Sequence, residues 1–131
     1  MNIPSDLKFT KTDEWVRVAG SEATLGISDY AQSQLSDIVY VEITAAKGAA
    51  LKAGDAVASV ESVKAASEVF LPVAGTMSAV NEGLTAKPET LNSDAYGEGW
   101  MVKLTLASVK DLSALMDAKA YEAYCNERQN H

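Results

Sequence analysis

The sequence contains only one cysteine, Cys125, and only one histidine, His131. A single cysteine cannot form an internal disulfide bond, and a lone histidine without clustered cysteines is not a pattern typical of a metal site. These absences argue against a disulfide scaffold and a structural zinc site. We interpret Cys125 as a small apolar residue on a helix.

Positive charge is also scarce, since 11 lysine and arginine residues stand against 18 aspartate and glutamate residues, for a formal net charge of −7. This balance disfavours nucleic acid and anionic membranes and favours partners with basic surfaces. No apolar run approaches the ~18 to 20 residues of a membrane span, and the N-terminus has no signal or transit character. Because the chain starts at Met1 without a presequence, we expect a soluble protein of the bacterial cytoplasm.

The length and the hydrophobic content predict how the chain is organised. With 131 residues, 47% of them hydrophobic, the chain can bury one core but hardly two, which predicts a single domain over residues 1–131. Short alternating runs predict a mainly β (β+α) protein with strands at 7–10, 15–18, 22–27, 37–44, 76–80 and 100–106. Helices are predicted at 29–35, capped by Ser28, and in the tail at 109–116 and 118–129.

Residues 57–72 form the most informative segment. Two runs rich in Val, Ala, Phe and Leu flank a small polar centre, which predicts two strands joined by a tight turn with Lys64 near its tip. The centre of the turn, residues 62–65, lacks glycine, asparagine and aspartate, so a turn with ordinary backbone angles is predicted. Taken alone, Lys64 is most simply a solvated charge.

Seven segments that cover nearly the whole chain form a recognisable series: Phe9-Thr10-Lys11, Glu14-Trp15-Val16, Gly26-Ile27-Ser28-Asp29-Tyr30-Ala31, Gln34-Leu35-Ser36-Asp37-Ile38-Val39, Glu61-Ser62-Val63-Lys64-Ala65, Pro72-Val73-Ala74-Gly75 and Gly97-Glu98-Gly99-Trp100. In this order they resemble the segments of the glycine cleavage H-protein family. The order of turn, strand, lysine tip, strand and turn is also similar to the biotinyl/lipoyl-carrier fold.

This resemblance implies a barrel-sandwich hybrid of two facing small antiparallel sheets, with short peripheral helices and a C-terminal helix. Its core hairpin region would span about residues 37–106, and its helical tail about residues 108–130. The resemblance also implies that Lys64 carries lipoate in amide linkage. The protein would then be a carrier without catalytic residues or a metal of its own.

The partners implied by the resemblance are the other components of the glycine cleavage system. The carrier would take an aminomethyl group from glycine decarboxylase (P protein), present it to a tetrahydrofolate-dependent aminomethyltransferase (T protein) and be reoxidised by dihydrolipoyl dehydrogenase (L protein). A lipoate ligase or octanoyltransferase would modify it. One alternative is a biotin carrier, which is disfavoured because no methionine flanks Lys64. Another is an unmodified hammerhead-like interaction module.

Three acidic residues are candidates for roles beside Lys64. Glu61 and Glu68 bracket the tip and either solvate the strand ends or are read by the modifying enzyme. Glu14 is either a surface strand residue or, as the resemblance implies, a polar group in the cleft that shelters the loaded arm. Asp13 stands where the family usually has histidine, which puts a second acid beside Glu14.

Overall fold

The computed structural model describes residues 1–129; Asn130 and His131, where the predicted domain and helical tail end, lie outside the described residues. Within these residues the chain forms nine β-strands, four α-helices and one 3-10 helix, Val109–Ala114. The strands are β1 (Lys8–Phe9), β2 (Glu14–Ala19), β3 (Glu22–Ile27), β4 (Ile38–Ile43), β5 (Ala50–Leu51), β6 (Ala56–Ser62), β7 (Ala66–Phe70), β8 (Gly75–Val80) and β9 (Val102–Leu106). The α-helices are α1 (Asp29–Leu35), α2 (Gly83–Ala86), α3 (Thr90–Ser93) and α4 (Ala118–Gln129).

The strands form two antiparallel sheets. The larger has the order β1-β2-β3-β9-β8-β5, and the smaller has the order β4-β6-β7. The mainly β prediction, with two small antiparallel sheets, short helices and a C-terminal helix, is therefore confirmed, although the sheets do not close into a barrel. The single-domain organisation over residues 1–131 stays a prediction.

Local sequence signals account for the ends of two helices. The hydroxyl of Ser28 accepts a hydrogen bond from the amide of Ala31, which caps α1 as predicted. The carboxylate of Asp117 accepts from the amide of Ala120 at 2.8 Å and caps α4 in the same way. Both helices have the predicted bounds, because each cap satisfies amides that the first helical turn leaves free.

Two clusters of buried side chains hold these elements together. The larger joins the inner faces of both sheets, with residues such as Leu25 and Leu104 from one sheet and Val41 and Val60 from the other. The smaller packs α4 against the N-terminal segment and consists of Leu7, Phe9, Trp15, Tyr30, Tyr121 and Cys125. Tyr121 and Cys125 lie four positions apart on α4 and are both buried, so this face of the helix packs against the body of the protein, with Cys125 as the predicted small apolar residue on a helix.

Some local predictions differ from the structure. The strand predicted at 37–44 is β4, Ile38–Ile43, in which Val39 and Tyr40 are both exposed; a β-bulge between Ile38 and Tyr40 interrupts the alternation at Val39. The helix predicted at 109–116 is the shorter 3-10 helix. The two-residue strand β5 was not predicted, since two residues show no alternation.

Candidate functional site

Lys64 lies in the turn that joins β6 to β7, as the sequence predicts. The amide of Ser62 donates to the carbonyl of Ala65 at 2.8 Å, and the hydroxyl of Ser62 accepts from the amides of Lys64 and Ala65. The amide of Val63 donates to the carbonyl of Asp37, which ties the turn to the start of β4. Lys64 is exposed, and no residue of the turn has a positive φ angle. The turn therefore presents the lysine from a firmly bonded backbone.

Glu61 and Glu68 lie on the same face of the smaller sheet. In the register of the hairpin Glu61 pairs with Ala66 and Ser59 pairs with Glu68, so the two glutamates occupy diagonal positions. Both side chains are exposed. Tyr40, opposite Glu61, is also exposed and shares this face. The outer face of the sheet next to Lys64 is therefore acidic.

Glu14 is a buried carboxylate, with only 1% of its surface exposed. Its Oε1 accepts hydrogen bonds from the hydroxyls of Thr10 and Thr12, and its Oε2 accepts from the amide of Phe70 at 3.2 Å. Because Phe70 ends β7, Glu14 connects the N-terminal segment to the lysine hairpin. A carboxylate can accept about four hydrogen bonds. Three are made, so Oε2 can accept one more.

Burial raises the pKa of Glu14 above its ordinary value, although the hydrogen bonds from Thr10, Thr12 and Phe70 oppose this shift. The folded state therefore binds the Glu14 proton more tightly than the unfolded chain does. The contribution of Glu14 to the free energy of unfolding is fully present below the pKa that Glu14 has in the unfolded chain. It is lost as the pH rises through the higher pKa that Glu14 has in the folded protein.

This shift predicts a pH-dependent difference between the wild type and the Glu14→Gln variant, whose amide does not titrate. The free energy of unfolding of the wild type should rise relative to that of the variant as the pH falls from about 7 to about 4.5. Urea denaturation of both proteins at a series of pH values measures the difference. A difference that stays constant across this range would contradict a raised pKa.

Two clefts border Glu14. The larger, of about 490 Å³, lies between the N-terminal segment, the end of β7 and the residues that follow the 3-10 helix; its apolar walls include Phe9, Phe70, Leu71, Leu115 and Met116. The smaller, of about 160 Å³, lies between α1 and the hairpin and is lined by residues that include Leu35, Val60, Ser67 and Glu68. Glu14 lines both clefts, so its carboxylate marks the boundary between them.

The smaller cleft starts near the lysine turn, and the larger cleft lies further along the hairpin. Strands rise about 3.3 Å per residue, so Phe70 lies about 13 Å beyond Ala66 along β7. Ser67 and Glu68 line the first cleft, and Phe70 lines the second. The two clefts therefore follow one side of the hairpin from its tip towards its base.

The whole arrangement has counterparts among known proteins. The family model described as "Glycine cleavage H-protein" matches residues 7–128. The chain belongs to the glycine cleavage H-protein family. It is 52% identical to the glycine cleavage system H protein of Stenotrophomonas maltophilia (strain R551-3), a match that covers 98% of each chain. It is 47% identical to the glycine cleavage system H protein of Anaeromyxobacter sp. (strain K), over 98% of this chain and all of the relative.

A solved structure of the H-protein family has the same fold. The crystal structure of a glycine cleavage system H protein from Mycobacterium marinum is 28% identical and superposes with a TM-score of 0.83, covering 97% of this chain and 99% of that chain. The resemblance inferred from the sequence is thus confirmed. As a member of the H-protein family, the chain has a lipoyl-carrier role in the glycine cleavage system and is a carrier subunit that is not itself catalytic.

Asp13 stands where the resemblance implied a histidine, and the structure shows how the acid is accommodated. The Asp13 carboxylate forms a two-point ion pair with the guanidinium of Arg128, at 2.6 and 3.0 Å. The hydroxyl of Tyr121 also donates to it at 2.8 Å. The charge of Asp13 is therefore compensated by Arg128. As a second acid beside Glu14, it adds less negative potential than an unpaired carboxylate would.

Sequence reasoning missed these partners of Asp13, because Arg128 lies 115 positions away and nothing in the local sequence connects the two. The absence of histidine at position 13 was the only available signal.

Among residues 1–129 there is no group of three or more potential metal ligands. None of the helices that the structure describes is long and apolar enough to span a membrane. A cytoplasmic location stays a prediction.

Proposed function

We propose that Lys64 carries lipoate in amide linkage and that the protein transports an aminomethyl group between the enzymes of glycine cleavage. The observation that carries this proposal is the exposed lysine at the tip of a hydrogen-bonded hairpin. Among the described residues the Lys64 ammonium forms no ion pair, so its nitrogen is accessible to a modifying enzyme. When bound, lipoate supplies a dithiolane that accepts the aminomethyl group and can be reoxidised.

The clefts beside the hairpin fit a long acyl arm on Lys64. The larger cleft has predominantly apolar walls, and it lies about 13 Å along β7 from the turn, a distance that an extended lysyl side chain with an octanoyl-length acyl group spans. Walls such as Phe9 and Met116 would exclude water from the loaded end of the arm. Exclusion of water slows hydrolysis of a reactive adduct.

Glu14 is the residue best suited to hold the amine of the aminomethyl group. Its Oε2 can accept one further hydrogen bond, and a protonated amine is a charge-assisted donor. The hydroxyls of Thr10 and Thr12 hold the other oxygen, so the carboxylate does not need to reorient when the arm arrives. Its proposed role is therefore to bind and orient the amine.

Transport between enzymes also requires surfaces that partners can recognise. The acidic face that carries Glu61 and Glu68 lies beside the lysine, and Val63 at the turn and Val39 on β4 are exposed apolar residues close to it. We assign this surface to the P, T and L proteins and to a lipoate ligase or octanoyltransferase. Each partner would need a surface with apolar residues at its centre and basic residues around them.

Intact mass of protein from lipoate-replete cells tests the modification. The expected result is a chain with one lipoyl group, and the peptide that contains Lys64 should carry the whole mass increase. A biotinyl increment would indicate a biotin carrier. A bare chain would indicate an unmodified interaction module, provided that a known lipoyl protein in the same cells is modified.

The Glu14→Gln variant is expected to shorten the lifetime of the aminomethylated protein. A hydrogen bond that involves a charged group contributes about 1.5–3 kcal/mol when it is buried, which corresponds to a release rate at least ten-fold higher. The protein is loaded with glycine and the decarboxylase, the decarboxylase is removed, and formaldehyde and ammonia are followed over time.

The exposed Glu22 on β3 provides a matched control, because Glu22→Gln makes the same chemical change away from both clefts. This control should release at the wild-type rate. An unchanged release rate in the Glu14→Gln variant would mean that only the apolar walls protect the arm. In that case Glu14 has a structural role in joining the N-terminal segment to β7.

A further inference from the structure

Helix α4 holds the turn that carries Glu14. This turn, residues 10–14, is closed by a hydrogen bond from the amide of Asp13 to the carbonyl of Thr10 and by one from the amide of Thr10 to the carbonyl of Glu14. Asp13 has a φ angle of 73°, in the left-handed region that residues other than glycine rarely adopt. The chain direction immediately before Glu14 therefore depends on an unfavourable backbone conformation.

The contacts that stabilise this conformation come from one face of α4. Arg128 binds both carboxylate oxygens of Asp13, and the hydroxyl of Tyr121 donates to one of them. The hydroxyl of Tyr124 donates to the carbonyl of Lys11 at 3.0 Å. Side chains from two consecutive turns of α4 thus bind Lys11 and Asp13, the residues on either side of Thr12. The hydroxyl of Thr12 in turn donates to Glu14.

Arg128 is itself held in place by aromatic rings. Its guanidinium carbon lies 4.3 Å from the ring centroid of Tyr30 and 4.1 Å from that of Tyr124. Contact with two rings and a two-point ion pair leaves the guanidinium little freedom to reorient. Because Tyr30 belongs to α1, Arg128 connects both helices to the turn.

We propose that Arg128 is a positioning residue, which holds Asp13 in its left-handed conformation and thereby aims the Glu14 carboxylate at the clefts. This inference rests on the proposed function and extends it to a residue of the C-terminal helix. Without Arg128, Asp13 can relax to an ordinary φ angle, which turns the following peptide. The hydroxyl of Thr12 then no longer lines up with Glu14, so the amine of the loaded arm loses its oriented acceptor.

The test compares the release of the aminomethyl group in Arg128→Gln with that in the wild type. Release should become three- to ten-fold faster, whereas loading by the decarboxylase should keep its rate, because Lys64 and its turn are untouched. Arg128→Lys, which keeps a positive charge but loses two-point binding, should recover part of the lifetime. Arg17→Gln is the matched control, since Arg17 also contacts an aromatic ring, that of Trp15, yet its hydrogen bond goes to the carbonyl of Tyr96.

A second comparison separates positioning from a general loss of stability. In a Glu14→Gln background, Arg128→Gln should cause no further increase in release, because the group that it positions is already absent. Asp13→Asn, which removes the charge but suits a left-handed backbone, should be non-additive with Arg128→Gln for the same reason. Additive effects, or wild-type release from Arg128→Gln, would overturn the inference.

The same measurements distinguish failure of this inference from failure of the proposed function. If the wild type carries no lipoate or takes no aminomethyl group from the decarboxylase, the proposed function is wrong and the inference falls with it. If the wild type loads normally but Arg128→Gln retains the group as long as the wild type does, only the inference is wrong. Should Arg128→Gln fail to fold, the pair of Asp13→Asn and Glu14→Gln supplies the same test of non-additivity.

Discussion

The Lys64→Arg variant should have no detectable lipoyl group and should support no glycine cleavage. Arginine keeps the positive charge, but its guanidinium stays protonated and offers no free amine for acylation. Lys64 is exposed and its side chain makes no ion pair among the described residues, so the free energy of unfolding should change by less than about 0.5 kcal/mol. Intact mass, urea denaturation and a glycine cleavage assay with the partner enzymes measure the three effects.

A matched control is the Lys52→Arg variant, which alters another exposed lysine in the turn before β6. This variant should be lipoylated and active like the wild type. Lipoate on Lys52, on Lys103 or on any other lysine of the wild type would contradict the assignment of Lys64 as the sole site. Activity of the Lys64→Arg variant would contradict the carrier mechanism itself.

The Gly75→Val variant should lose both stability and lipoylation, although Lys64 is unchanged. A Cβ atom on Gly75 would lie 2.5 Å from the carbonyl oxygen of Thr105 and 2.6 Å from a methyl group of Leu104. Thr105 pairs with strands on both sides and cannot easily move away. We expect a loss of about 3 kcal/mol in the free energy of unfolding, at the upper end of what overpacking usually costs.

The consequence for modification follows from the short connection between Gly75 and the hairpin. Only four residues separate the end of β7 at Phe70 from the start of β8 at Gly75, so displacement of β8 moves the base of the lysine hairpin. The lipoylated fraction, measured by intact mass at limiting ligase, should fall. Thr76→Val is the control, because Thr76 is the exposed neighbour in the same strand and valine has nearly the same shape.

Gly54 provides a second, milder case. Its φ angle is +94°, a Cβ atom added there would meet no other atom within 4 Å, and its amide donates to the carbonyl of Leu71. Gly54→Val should therefore cost about 1–2 kcal/mol through the backbone alone. Its lipoylation should decrease less than that of Gly75→Val. Normal lipoylation of both variants would mean that the ligase reads only the sequence of the turn.

Much of the fold could be predicted because its signals are local. The apolar runs of β6 and β7, the polar turn that contains Lys64 and the helix caps at Ser28 and Asp117 all depend on residues within a few positions of one another. β4 shows the limit of this reasoning. Its apolar residues alternate in the sequence, but a bulge opposite β6 exposes Val39, and the bulge depends on how two separate strands pair.

The candidate site shows the same division between local and distant determinants. From the sequence alone Glu14 could be a surface residue or part of a cleft. Its burial depends on the amide of Phe70, 56 positions away, and on the apolar walls that the hairpin and the 3-10 helix bring together. The partners of Asp13 on α4 were likewise invisible, since no periodicity links residues 115 positions apart.

By itself, the sequence determined that Lys64 stands at the tip of a hairpin, that the chain is acidic and mainly β, and that it resembles the H-protein family. Only the tertiary structure decided that Glu14 is buried with a raised pKa and that Asp13 forms an ion pair with Arg128. The physical reason is that turns, strands and caps follow from interactions between near neighbours. Burial and charge pairing depend instead on which distant elements pack together.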